Sequence, residues 1–252
     1  MKILGIESAG LTASCAISED NRLLCEYLLN HKKTHSEKLM PLIIKALEDR
    51  EVKLNDIDVI AISKGPGSYT GLRIGAAIAK GLAQAISLSR ANDCTKESNQ
   101  TSYDRPEDTE DMPIVAVPTM QALAANVFDN SRYIVPILDA KSGRIYSGIY
   151  RWENSSLTTI KEQFATDIEE LADIIKNLEG EAVLNGDGSV NYREILEKTL
   201  NNKIIFAPEK YNILCASSVN FIAYQLVKEN KLMSYNDFSP EYLRLSQAER
   251  LA

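Results

Sequence analysis

Histidine is almost missing from this chain: His31 and His35 are the only two in 252 residues. No HExxH arrangement exists, and two histidines cannot supply the three protein ligands that a zinc site needs. The same scarcity leaves no legible Ser-His-Asp or Cys-His set for nucleophilic catalysis. Cysteine is scarce too. Cys15, Cys25, Cys94 and Cys215 form no C-x-x-C pair and read as free thiols of a reducing compartment. Basic residues are fewer than acidic ones, 28 against 35, giving a net charge of −7. A chain that grips nucleic acid alone usually carries a basic face, so direct RNA binding is not expected. No apolar run approaches the roughly 18 residues of a membrane span. The opening stretch MKILGIESAG is interrupted by Glu7 and is too short for a signal-peptide core. A cytoplasmic protein away from membranes is expected.

What is present is ordinary globular usage, 44% hydrophobic and 25% charged. Residues 2–8, 12–18 and 22–29 read as three strands joined by tight turns. A helix follows over about 34–49, with Thr34 and Glu37 at capping-box spacing and Pro41 inside it. A buried strand (57–63) leads through GPGSYTG into a helix ending near Ile86. Residues 90–112 carry three basic and seven acidic residues without apolar periodicity and read as a mobile surface insertion. A strand (113–117) and a helix (119–128) complete the first half. The second half repeats the order: strands 132–139, 144–151 and 157–165, a helix (167–178), a strand (181–185), a helix (190–200), a strand (203–206) and a helix (216–230). Two successive β-β-β-α-β-α units predict an α/β protein of two duplicated lobes, 1–129 and 130–252, closing on a cleft.

Four stretches could carry chemistry. The segment 65–75, GPGSYTGLRIG, is a constrained turn running into a helix N-terminus. It is a candidate anion site through Gly65, Gly67 and Ser68, or else a structural loop; neither a Walker A order nor a clean G-x-G-x-x-G is present. The helix after it lacks the wide polar face of a surface helix. Ile74, Ile78, Leu82 and Ile86 form one stripe, while Gly75, Ala79, Ala83 and Ala77, Gly81, Ala85 form two stripes of small residues. That helix is either sandwiched inside its own fold or packs one face on a partner. The 34–49 helix is similarly apolar on more than one face. Glu7 and Asp139 end the first strand of each half; such paired acids could hold a metal–nucleotide across a cleft or simply cap turns. Asn185-Gly186-Asp187-Gly188 could approach a nucleotide, though Asp187 would repel phosphate, which favours a turn.

Together GPGSYTGLRIG, THSEKLMPLI (34–43), LDAKSGRIYSGIY (138–150) and the tail SPEYLR (239–244) resemble the TsaB (YeaZ) family. The resemblance implies an actin-like (ASKHA, ribonuclease H-like) fold. It also implies a non-catalytic scaffold and dimerization subunit in tRNA threonylcarbamoyladenosine (t6A) synthesis. That role means pairing with the catalytic paralogue TsaD, recruitment of the ATPase TsaE, a homodimer when TsaD is absent, and only indirect contact with tRNA. The metal of TsaD is held through H-x-x-x-H; the corresponding helix here, 118–124, has no histidine. The acidic 90–112 stretch lies outside the usual family pattern. The partner interface is expected at His35, Leu39, Ile43, Tyr69, Arg73, Ile74, Ala77, Ile78 and Gly81. Vestigial nucleotide contacts are expected at Glu7, Ser8, Gly65, Gly67, Ser68, Asp139, Gly186 and Gly188. No resident cofactor is expected, with ATP or ADP at the subunit boundary as the exception. An ATP-dependent transferase of the same fold is the rival reading, and a peptidase a weaker one.

Overall fold

The computed structural model describes residues 1–30, 35–97 and 111–243. The first lobe is built from β1 (Lys2–Glu7), β2 (Thr12–Glu19), β3 (Arg22–Asn30), α1 (His35–Asp49), β4 (Val59–Gly65), α2 (Tyr69–Glu97), β5 (Pro113–Pro118) and α3 (Thr119–Ala124). The second follows as β6 (Tyr133–Asp139), β7 (Arg144–Glu153), β8 (Ser156–Asp167), α4 (Ile168–Lys176), β9 (Ala182–Asn185), α5 (Asp187–Asn191), α6 (Arg193–Leu200), β10 (Ile204–Phe206), α7 (Ala216–Lys228) and β11 (Met233–Ser234). One sheet runs β11-β5-β4-β1-β2-β3 and the other β10-β9-β6-β7-β8. Setting the edge strand β11 aside, the two orders are the same when each lobe is counted from its own first strand. The duplication read from the sequence is thus present as topology, and the fold is actin-like.

Alternation along the strands places the cores. Ile3, Val59, Ala61, Val115 and Val117 face the middle of the molecule, whereas Leu4, Ile6, Ile60, Ile62 and Ile114 face α1 and α2. This is what a strand period of two requires of a sheet covered on both faces. The second sheet turns Val135, Ile137, Ile145 and Ile149 towards α4 and α6. Two helices fill the space between the sheets. All six residues of α3 are buried, so it needs apolar cover on every side.

Packing crosses the expected lobe boundary at 129/130. The first-lobe helix α3 packs on β6 and β7 of the second lobe, while the second-lobe helix α7 crosses back onto β1 and β2. The strand β11 then pairs with β5 of the first sheet. The C-terminal part of the chain therefore belongs structurally to the first lobe.

The acidic insertion also begins later than expected. α2 continues to Glu97. The helix is tied down at Arg90, whose guanidinium donates to the carbonyls of Asn55 (3.1 Å) and Ile57 (2.8 Å). Met112, at the far end of the expected insertion, is fully buried and donates its N–H to Ser87 Oγ at 2.8 Å. Residues 98–110 lie outside the described residues, as do His31 and the expected cap Thr34. The expected 190–200 helix is two helices, α5 and α6, and α3 stops at Ala124 instead of reaching 128. Pro41 sits on the exposed side of α1 without ending it.

Candidate functional site

Two surfaces came out of the sequence: the cleft between the lobes and the outward faces of α1 and α2. The cleft is a cavity of about 550 Å³. The first lobe contributes the tip of the β1–β2 hairpin (9–11) with Gly67, Ser68, Thr70, Gly71 and Ile74; the second contributes 138–141, Tyr146 and Asp187. Of the expected nucleotide contacts, only Gly67, Ser68 and Asp139 line it.

The first-lobe wall is closed by its own backbone. Ser8 Oγ donates to the Gly71 carbonyl at 2.9 Å, and the Ser68 N–H donates to the Ala9 carbonyl at 2.6 Å. A Cβ at Gly71 would stand 2.0 Å from the Ser8 carbonyl oxygen, one at Gly67 2.4 Å from that of Ala9, and one at Gly75 2.3 Å from Ser8 Oγ. The glycines of GPGSYTGLRIG are therefore needed to seat α2 against the hairpin, while Gly67 and Ser68 also stand at the cavity wall. Ser8 is buried beneath this contact and is removed from the ligand candidates.

Glu7 is removed as well. It is fully buried, accepts hydrogen bonds from Ser63 Oγ and the Ala9 N–H, and does not line the cavity. Burial pushes its carboxyl up to about 7, against the opposing pull of the bonds from Ser63, Ala9 and Ser8. It functions as the internal tie between β1 and β4.

On the opposite wall Asp139 caps the β6–β7 turn. Its carboxylate accepts from the Lys141 N–H (2.8 Å), Lys141 Nζ (3.0 Å) and Asn191 Nδ2 (3.1 Å). Burial acts against its charge, but the bonds from Lys141 outweigh it and hold the carboxyl below the usual range. Asp187 accepts the Asp139 N–H at 3.0 Å; burial pushes its carboxyl upward. Gly186 lies at φ +97°, and a Cβ there would stand 2.2 Å from the Ile137 carbonyl oxygen. Together with Gly188, which also presses on Ile137, it serves the turn into α5, and neither glycine lines the cavity. Gly65 serves a further internal contact described below. Among the described residues no group of three or more His, Cys, Asp or Glu could hold a metal.

The helix faces divide the remaining expectations. Leu39 and Ile43 are fully buried in the core beneath α1, which corrects their assignment to an interface. An apolar periodicity cannot tell the inner stripe from the outer one. Arg73, Ala77 and Gly81 are exposed, while Tyr69, Ile74 and Ile78 are half-buried. The expected interface set omitted Ile44 and Leu88, 45% and 46% exposed on the same helices, although Ile44 is among the residues that make the 34–49 helix apolar on more than one face. The Cβ position of Gly81 has nothing within 4 Å, so no contact inside the chain calls for glycine there. The side chain of His35 lies outside the described residues.

Comparison with known proteins fits this geometry. The Bacillus subtilis tRNA threonylcarbamoyladenosine biosynthesis protein TsaB is 28% identical over 249 residues, 99% of this chain and 96% of that one. The similarity runs along nearly the whole length of both chains. The Escherichia coli TsaB matches similarly, 24% identical over 97% of this chain and 95% of its own. The crystal structure of YeaZ from Pseudomonas aeruginosa superposes with a TM-score of 0.76 at 19% identity, covering 96% of this chain and 99% of that one. The sequence model of the TsaD family, tRNA N6-adenosine threonylcarbamoyltransferase, matches residues 22–90. That segment holds α1 and most of α2. No helix among the described residues is long and apolar enough to cross a membrane.

Proposed function

We propose that this chain is the scaffold subunit of a cytoplasmic complex that makes t6A at position 37 of tRNA, and that it supports TsaD without performing the transfer itself. The full-length similarity to TsaB carries the reading. The site chemistry supports it: Glu7 is buried away from the cavity, and Asp139 at the cavity wall accepts from the chain's own donors.

The outward faces of α1 and α2 are the surface through which TsaD is engaged. Ile44, Ala77 and Leu88 lie exposed there beside the half-buried Ile78, and an apolar patch of this kind is covered by a partner in soluble proteins. Glycine costs about 1 kcal/mol relative to alanine inside a helix. The open space at Gly81 gives that cost a purpose if a second helix backbone lies against it. The segment shared with TsaD contains these same helices, so the two subunits meet through related surfaces, and without TsaD two copies of this chain pair through them. TsaE joins through the resulting pair, tRNA is reached indirectly, and any nucleotide sits at the subunit boundary and not in the lone cleft.

The test is reconstitution. Purified TsaD and TsaE, given tRNA and threonylcarbamoyl-adenylate, should form t6A only when this chain is added, and this chain alone should form none. Full modification without it, or modification by it alone, would overturn the reading.

A further inference from the structure

We propose that the segment 239–242 is a strap that links the outward face of α2 mechanically to the second lobe. It starts from Phe238, which is 1% exposed and plugged into the core beneath α1 and α2. Two consecutive residues then make two different attachments.

The first is Glu241. Its N–H donates to the Lys64 carbonyl at 2.6 Å, and its carboxylate pairs with Lys64 Nζ at 2.8 Å. The same carboxylate accepts from Gln163 Nε2 at 3.3 Å. Gln163 stands on β8, in the second lobe. Its Nε2 also donates to the Gly65 carbonyl at 2.8 Å, and its Oε1 accepts the Met120 N–H of α3 at 3.4 Å. One amide thus holds the strap, the β4–α2 loop and the helix between the sheets. Gly65 makes the approach possible: its φ is +115°, and a Cβ there would lie 2.3 Å from the Glu241 carbonyl oxygen.

The second is Tyr242. Its ring centroid is 4.7 Å from that of Tyr69 in the first turn of α2, and its hydroxyl accepts from Arg73 Nε at 3.3 Å. The Arg73 guanidinium lies 4.0 Å over the Tyr69 ring. Arg73 is exposed on the face that also carries Ala77 and Gly81. The path Arg73–Tyr242–Glu241–Gln163 therefore runs from that face to the second lobe through hydrogen bonds and one peptide link. Each contact is partly solvated and individually weak, so the strap can yield without unfolding its anchor at Phe238.

The inference has two arms, and the second rests on the reading of α2 as the TsaD surface. Hydrogen exchange of the full chain tests the first. Glu241→Ala and Gln163→Leu should each speed amide exchange about tenfold or more across 64–72 and 120–124. Acceleration confined to 239–243 in the first variant, with none in the second, would overturn the strap. The second arm adds purified TsaD. Protection of α2 should be accompanied by slower exchange in β8, and Glu241→Ala should keep the α2 protection while losing the β8 response. A β8 response that survives Glu241→Ala would refute the link. Absence of α2 protection in the unaltered chain would instead refute the interface, leaving the strap to be judged by the first arm.

Discussion

The β1–β2 and β6–β7 hairpins occupy equivalent places in the two sheets and face each other across one cleft, yet they are stabilised differently. The first is held from behind. Ser8 and Ala9 lie against Gly67, Gly71 and Gly75 at distances that admit no side chain, and the carboxyl of Glu7 is locked under them. The second is held from within, by Asp139 accepting from the backbone and side chain of Lys141 two residues on. A duplicated topology therefore preserves the path of the chain without preserving what a hairpin offers to a ligand. In the first the polar groups face inward; in the second they are matched locally but remain at the cavity wall.

The sharpest way to break this comparison is to add one methyl group on each side. Gly71→Ala drives a Cβ to 2.0 Å from the Ser8 carbonyl oxygen. Overpacking of this kind costs about 3 kcal/mol, which lowers the melting temperature by roughly 10 °C in a chain of this size. Gly143→Ala in the second hairpin meets no atom within 4 Å and bears only the strain of φ +72°. It should cost about 1 kcal/mol. Equal losses in thermal melts would contradict the difference drawn between the hairpins.

The next contrast is in pH. The Glu7 carboxyl is raised from 4.5 to about 7, so the folded state binds its proton more tightly than the unfolded state does. Its cost to stability is absent below pH 4.5, grows as pH rises and is full above pH 7. Glu7→Gln keeps an acceptor for the Ala9 N–H and exchanges the acceptor facing Ser63 Oγ for an amide donor. It should gain on the order of 3 kcal/mol at pH 8, and that gain should vanish as pH falls to 4. Asp139 is shifted the other way, its carboxyl held below the ordinary value. Its stabilisation is present above that ordinary value and is lost as pH falls through the lowered one. Asp139→Ala should cost about 1 kcal/mol at pH 7 and progressively less in acid, because its ion-pair partner Lys141 is largely solvent-exposed. Parallel pH profiles for the two variants would show that the hairpins are not distinct in this respect.

The smallest expected effect on the isolated chain is at Gly81. Replacing it with alanine should raise stability by about 1 kcal/mol, since nothing lies within 4 Å of the new methyl group. A destabilised monomer would show that this glycine serves the fold.

The duplicated order of strands was legible in the sequence because buried strands such as 57–63 and 113–117 are short apolar runs bounded by turns. The crossing of α3 and α7 between the lobes was not. An apolar stripe states that a helix is covered, never by which sheet. Leu39 and Ile43 fell on the wrong side of α1 for the same reason: they and Ile44 are equally hydrophobic, and only packing separates the buried pair from the exposed residue. The charged composition of 90–112 concealed Arg90, whose guanidinium binds the carbonyls of Asn55 and Ile57. GPGSYTGLRIG announced a close approach without stating what approaches, and the answer is the neighbouring hairpin. Gln163 left no signal at all. A lone amide on a strand looks like any exposed polar residue until the tail and the β4–α2 loop are seen to converge on it.

The claim that α2 presents its outward face to TsaD is tested most directly by Gly81→Arg, mixed with TsaD and followed by size-exclusion chromatography and thermal melting. The account predicts a variant that melts like the unaltered chain and elutes alone, because a long side chain now stands where a helix backbone must lie. Co-elution with TsaD in undiminished yield would contradict it.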